Sequence, residues 1–140
     1  MLIPSKKGLS QKGLYEKKAF QIFADILAGL RYLHKNSLHH GNLKPSNVLL
    51  DEFNRVKLTD YGWSSLSKKI ISIAITENEI DFFAPEVLQF EPYTASADIY
   101  SLGTLLYYMV VGETPFPKEL QPAKKREIII RGKFNIPKAV

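Results

Sequence analysis

The chain has 140 residues, 45% hydrophobic and 24% charged, which is the composition of a folded domain or part of one and excludes a disordered tail. It has no cysteine, so disulfides and thiolate metal sites are excluded. Much of its net charge of +5 sits in two clusters, Lys6, Lys7, Lys12, Lys17 and Lys18, then Lys124, Lys125 and Arg126; neither alternates with aromatics as a nucleic-acid stacking platform would, and both read as solvated helix faces.

The first dozen residues are polar and basic, hold no apolar stretch long enough for a signal peptide, and read as a lead-in. A helical period begins near Tyr15. Phe20, Phe23, Ala24, Leu27 and Leu30 follow the i, i+3, i+4, i+7 spacing of one buried face, and Ile22, Ile26 and Leu33 form a second apolar row beside it. So wide a stripe predicts a helix covered on more than one side, running to about Lys35. The segment LHHGNLKPSNVLL is then a loop, because Pro45 cannot sit inside a regular helix and Gly41 and Asn42 permit unusual backbone angles. Val48 to Leu50 and Val56 to Leu58, parted by a turn with Asn54, predict a small β-hairpin that ends at Asp60-Tyr61-Gly62. Residues 63–83 show no period and predict a long functional loop. Ala84-Pro85-Glu86 opens a short helix through Leu88. A long helix spans about Ala95 to Val111, with Thr94 as N-cap and Gly112 closing it. Its most apolar part, Ile99 to Gly112, is interrupted by Ser101, Thr104 and three tyrosines, and falls short of the roughly 18 apolar residues of a membrane span. A final helix runs near Pro122 to Ile130. The fold class expected is mainly α with one small β-hairpin, in a soluble intracellular protein, cytoplasmic or nuclear, with no membrane or nucleic-acid partner.

Four motifs stand in order: His40-Gly41-Asn42-Leu43-Lys44-Pro45-Ser46-Asn47, Asp60-Tyr61-Gly62, Ala84-Pro85-Glu86 and Asp98-Ile99-Tyr100-Ser101-Leu102-Gly103. They resemble the H-R-D-L-x-x-x-N, D-F-G and A-P-E motifs and the start of the long central helix of protein kinases. The resemblance covers about residues 13–137 and implies one partial domain, the large C-terminal lobe, truncated at both ends. The glycine-rich loop, the V-A-I-K lysine and its glutamate partner belong to a small lobe expected before Met1. An arginine that pairs with the A-P-E glutamate is expected beyond the chain's end, which leaves Glu86 exposed or paired differently.

By this resemblance Asn47 and Asp60 match the Mg²⁺-binding positions, where an amide oxygen and a carboxylate are suitable hard ligands. They bind Mg²⁺, or persist as loop-stabilising polar residues. Lys44 matches the lysine that neutralises the γ-phosphoryl group, and L-K-P-S-N is similar to serine/threonine kinases. Leu49 matches the residue beneath the adenine of ATP, with Leu105 and Met109 supporting it from below. His40 matches a packed core histidine contacting Tyr61 and the backbone near Asp98, and Asp98 a buried carboxylate accepting backbone N–H bonds from the loop. His34 reads as a surface or capping residue.

The departures concern catalysis. The position of the family's catalytic aspartate holds Asn42, whose amide has no proton-accepting pKa near neutrality. Gly41 replaces the arginine that pairs with a phosphorylated loop residue, so Ser64, Ser65, Ser67, Ser72 and Thr76 have no expected docking cation. The threonine of G-T-P-x-Y-x-A-P-E becomes Glu79, expected to pair with Lys44. These departures predict a catalytically impaired, pseudokinase-like module that acts through a protein partner, with ATP and Mg²⁺ as cofactors implied by the family. A divergent serine/threonine kinase and an incomplete gene product stand as the alternatives.

Overall fold

The computed structural model describes residues 14–62 and 80–134. Helix α1 spans Glu16–Lys35, strands β1 and β2 span Val48–Leu50 and Val56–Leu58, and helices α2, α3 and α4 span Pro85–Leu88, Ala95–Val111 and Pro122–Ile130. Single 3-10 turns occupy Pro45–Asn47 and Ile80–Phe82. The class is the expected one, mostly helical with one two-stranded antiparallel sheet.

α1 buries Ala19, Ile22, Ile26, Leu30 and Leu33. The expected row of Phe20, Phe23, Ala24 and Leu27 is not the buried face: Phe20 is 67% exposed, Ala24 is exposed, and Phe23 and Leu27 are half-buried. Periodicity could not choose between two adjacent apolar rows. The choice is made by the neighbours, α3 on one side and β2 on the other. β2 comes so close that a Cβ on Gly29 would lie 2.9 Å from Leu58 Cδ1, so a larger residue there would push the end of the Leu58 side chain aside. The Leu14 N–H donates to the Met109 carbonyl (2.7 Å), which ties the start of α1 to the end of α3.

The hairpin pairs Val48 with Leu58, Leu49 with Lys57 and Leu50 with Val56. Strand alternation sends Val48 and Leu50 into the core and leaves Leu49 half-buried on the opposite face. The Asp51 carboxylate accepts the Phe53 and Arg55 N–H groups (2.9 Å each) and pairs with the Arg55 guanidinium (2.8 Å), and Asn54 turns through φ 60°. α3 starts at Thr94, whose hydroxyl bonds Ser96 Oγ (2.7 Å) instead of capping the backbone, and stops at Gly112 in the left-handed region (φ 86°).

Buried side chains form two clusters. One joins α1, the hairpin and α3 around Ile26, Leu30, Leu43, Leu105 and Met109. The other joins α2, α4 and the first turn of α3 around Phe83, Leu88, Ala97, Phe116 and Ile129. Ser101 stitches them: its hydroxyl donates to the Phe82 carbonyl (2.7 Å), with the Ala97 carbonyl 3.0 Å away as the alternative acceptor.

The second basic cluster is not a solvated face. Lys125 is 7% exposed and pairs with the 5%-exposed Asp81 (3.1 Å), while Arg126 lies over the Phe90 ring (5.1 Å) and donates to the Leu88 carbonyl. A lysine buried without a carboxylate would be costly, so Asp81 decides which basic residue turns inward. No helix among the described residues is long and apolar enough to cross a membrane.

Candidate active-site loop

The loop from His39 to Asn47 hangs on one side chain. Asp98, 0% exposed in the first turn of α3, accepts the N–H groups of His40 (2.9 Å) and Gly41 (3.0 Å), the Tyr93 hydroxyl (2.7 Å) and His34 Nε2 (2.8 Å). Burial alone would raise its pKa; the Gly41 N–H, Tyr93, His34 and the His40 N–H together bring it below the ordinary carboxylate value. Tyr93 moves the other way, raised by burial and by the Asp98 charge. Gly41 takes φ 77°, a left-handed conformation that is strained for any residue with a Cβ.

His40 is fully buried, and its Nδ1 accepts the Asn42 N–H (3.2 Å), which assigns the ring proton to Nε2, beside the Thr59 backbone at looser than hydrogen-bonding geometry. Burial lowers its pKa against the opposing pull of Asp98, the Thr59 backbone and Asp60, so the neutral ring is favoured. Tyr61 is 57% exposed and belongs to neither buried cluster. The chain turns through the left-handed region at Asp60 (φ 56°). Backbone holds this segment to the loop, through the Gly62 N–H on the His39 carbonyl (3.1 Å).

Asn42 and Asn47 are buried, and the Asn47 Nδ2 donates to the Asn42 carbonyl (2.7 Å). That bond leaves the Asn47 Oδ1 as the end of the amide able to accept or ligate. The Thr59 N–H donates to the Asn47 carbonyl (3.0 Å), so Asn47 and Asp60 are brought together across the start of the hairpin. Asp60 is exposed, and its carboxylate has no hydrogen bond or ion pair among the described residues. Lys44 is half-buried at the turn before Pro45, and Leu49 lies two residues beyond Asn47. Asn42, Lys44 and Asn47 thus belong to one loop at the hairpin's root, with Asn42 and Asn47 buried, Lys44 half-buried and Asp60 exposed after the hairpin's second strand. The site offers an amide, a cation and an amide–carboxylate pair, but Asn42 gives it no proton acceptor at the loop's centre.

Glu86 is half-buried and forms no ion pair among the described residues; its negative charge contributes to the raised pKa values of Tyr93 and Tyr100. Glu79 and the hydroxyl residues from Ser64 to Thr76 lie outside the described residues, and so does the expected Glu79–Lys44 pair. Sequence reasoning missed His34, which is not a free surface residue but reaches Asp98, and it missed the Asp81–Lys125 pair. The available signal for His34 was its place at the end of a helix whose buried face continues through Leu33.

A family model described as protein kinase domain matches residues 5–139. The cAMP-dependent protein kinase catalytic subunit of Schizosaccharomyces pombe is 37% identical over 122 residues, covering 87% of this chain and 23% of that protein. The SNF1-related protein kinase catalytic subunit alpha KIN12 of Arabidopsis thaliana is 36% identical over 128 residues, covering 91% and 26%. Sperm motility kinase 3A of Mus musculus is 33% identical over 126 residues, covering 89% and 25%. The chain spans about a quarter of the length of the curated relatives it matches.

Proposed function

The chain belongs to the protein kinase family, and from that premise we propose that it is a serine/threonine-type kinase-like portion with impaired phosphoryl transfer, acting as a pseudokinase through protein contacts. The observation that carries this is Asn42. The loop around it is fully built on Asp98, His40 and Asn47, yet the position that orients the acceptor hydroxyl holds an amide. An intact loop with a missing base is a specific change in chemistry, not a collapsed site. General-base assistance contributes about 10²- to 10⁴-fold, and an amide supplies none of it.

The residues present fit Mg²⁺ carried with a nucleotide. Asn47 has its Oδ1 end turned away from its own hydrogen bond, and the Asp60 carboxylate is exposed. Mg²⁺ carried in this way takes one or two protein ligands and completes its shell with phosphate and water. When bound, Mg²⁺–ATP would supply the transferable phosphoryl group and neutralise its charge. Lys44 would add a second positive charge beside it, and Leu49 an apolar surface for the base.

The exposed Asp60 carboxylate also favours a second reading, a divergent kinase that turns over slowly without its base. Mg²⁺–ATP thermal shift on the full chain tests the two. The pseudokinase reading predicts a saturable shift, reduced by Asp60→Ala, with no phosphorylated product. Product formation that disappears in Asp60→Ala supports the second reading instead.

A further inference from the structure

Two of the chain's three histidines, His34 in the last turn of α1 and His39 at the start of the loop, come together beside Asp98, and the chemistry above uses neither. Their ring centroids lie 5.7 Å apart and their planes meet at 63°, so the rings are not stacked. The His39 ring also stands 5.7 Å from that of Tyr93. Both histidines are half-buried, so an ion from solvent can reach them.

His34 presents Nε2 to Asp98 Oδ2 (2.8 Å). A carboxylate only accepts, so in the neutral ring the proton sits on Nε2 and the lone pair is left on Nδ1. That atom, and both ring nitrogens of His39, have no hydrogen bond among the described residues. A carboxylate holding the far nitrogen of an imidazole is how proteins orient a metal-ligating histidine and raise its basicity. The spacing fits as well. An ion about 2.0–2.1 Å from a nitrogen of each ring, at a roughly tetrahedral angle, sets the two centroids about 5–6 Å apart. Charge favours the same occupant. Asp98 is 0% exposed and pairs with no lysine or arginine among the described residues. A cation on His34 therefore meets a buried negative charge that hydrogen-bond dipoles alone now balance.

We propose that His34 and His39 form a binding site for a divalent transition-metal ion, Zn²⁺, held by His34 through Nδ1 with Asp98 behind it and by one ring nitrogen of His39. Among the described residues no third histidine or carboxylate completes a set of three, so water fills the remaining positions. Imidazole nitrogens select such an ion over Mg²⁺, which prefers oxygen. The site is separate from Asn47 and Asp60 and does not depend on phosphoryl transfer. It ties the end of α1 to the residue whose carbonyl takes the Gly62 N–H, and so steadies the entry to the loop.

The test is calorimetric titration of the full chain, stripped of metal with a chelator, with ZnCl₂ at pH 7 in excess MgCl₂. Saturable binding of one Zn²⁺ per chain is expected at micromolar concentration, with a raised melting temperature. His39→Phe keeps a ring against His34 and Tyr93 but offers no lone pair. It should weaken binding by roughly tenfold or more without lowering the melting temperature of the metal-free chain. Binding to the wild type should also weaken by roughly tenfold or more between pH 7 and 5, as protons compete for the imidazoles. Imidazole ¹⁵N NMR gives a readout that needs no variant: Zn²⁺ should shift His34 and His39 and leave His40 in place. Absence of saturable binding up to millimolar Zn²⁺ overturns the proposal, as does unchanged affinity in His39→Phe. Zn²⁺ binding that is lost in Asp60→Ala overturns it by placing the ion beyond the hairpin. Several weak equivalents with no shift at His34 or His39 overturn it as adventitious surface binding.

Discussion

Asp98→Asn is the sharpest probe of how the loop is held. The substitution keeps the shape and swaps one acceptor oxygen for an NH₂ group. Oδ1 takes the Gly41 N–H and the Tyr93 hydroxyl, while Oδ2 takes the His40 N–H and His34. Whichever way the amide turns, one buried backbone N–H, of Gly41 or of His40, faces another donor, while the Tyr93 hydroxyl or His34 Nε2 on the same side can turn or change tautomer to accept. The unmatched N–H costs about 1–3 kcal/mol, and the other bonds lose their charge assistance, so the total is about 2–4 kcal/mol. Against a domain stability of about 5–15 kcal/mol that is a large fraction. Urea unfolding of the full chain followed by circular dichroism at pH 7 should show the midpoint falling by about 2 M, taking a slope of about 1–3 kcal/mol per M. A pH series adds a second readout. The Asp98 pKa is depressed in the fold, so its contribution is complete above the ordinary value of 3.8 and is lost as pH falls below it. The gap between wild type and Asp98→Asn should therefore narrow only in that acid window. A loss under about 1 kcal/mol at pH 7, or a gap independent of pH down to 2, refutes the reasoning.

Asp81→Asn should destabilise by about 3–5 kcal/mol in thermal melts because Lys125 stays buried without its partner, whereas Asp81→Leu combined with Lys125→Met should cost far less. His40 has a lowered pKa, so the unfolded chain takes up a proton that the fold refuses. Stability is intact above the ordinary value of 6.5 and should fall as pH drops below it, a limb that His40→Asn removes from a urea titration between pH 7 and 5. Phe20→Ser should change stability by less than about 0.5 kcal/mol, while Ile22→Ala should cost about 2–5 kcal/mol; the reverse order would mean that α1 buries the other face.

The helices and hairpin were legible because each carried a local signal: spacing in α1 and α3, alternation around Asn54, and Gly112 at φ 86°. The rotation of α1 was not, because two adjacent rows were both apolar and the choice falls to the neighbours, α3 and β2. At the site, the motifs marked the residues that lie within one stretch of chain. Two contacts between distant side chains outside the motifs were not read: His34 with Asp98 is 64 residues apart, and Lys125 with Asp81 was hidden among basic neighbours.

The central claim is that a well-built loop lacking a proton acceptor does not transfer phosphate efficiently. The direct test is phosphotransfer by the purified full chain with Mg²⁺–ATP and a mixed protein substrate, alongside Asp60→Ala. The account predicts that the two are indistinguishable. Transfer by the wild-type chain at the roughly 1–100 s⁻¹ of active kinases, abolished by Asp60→Ala, would contradict it.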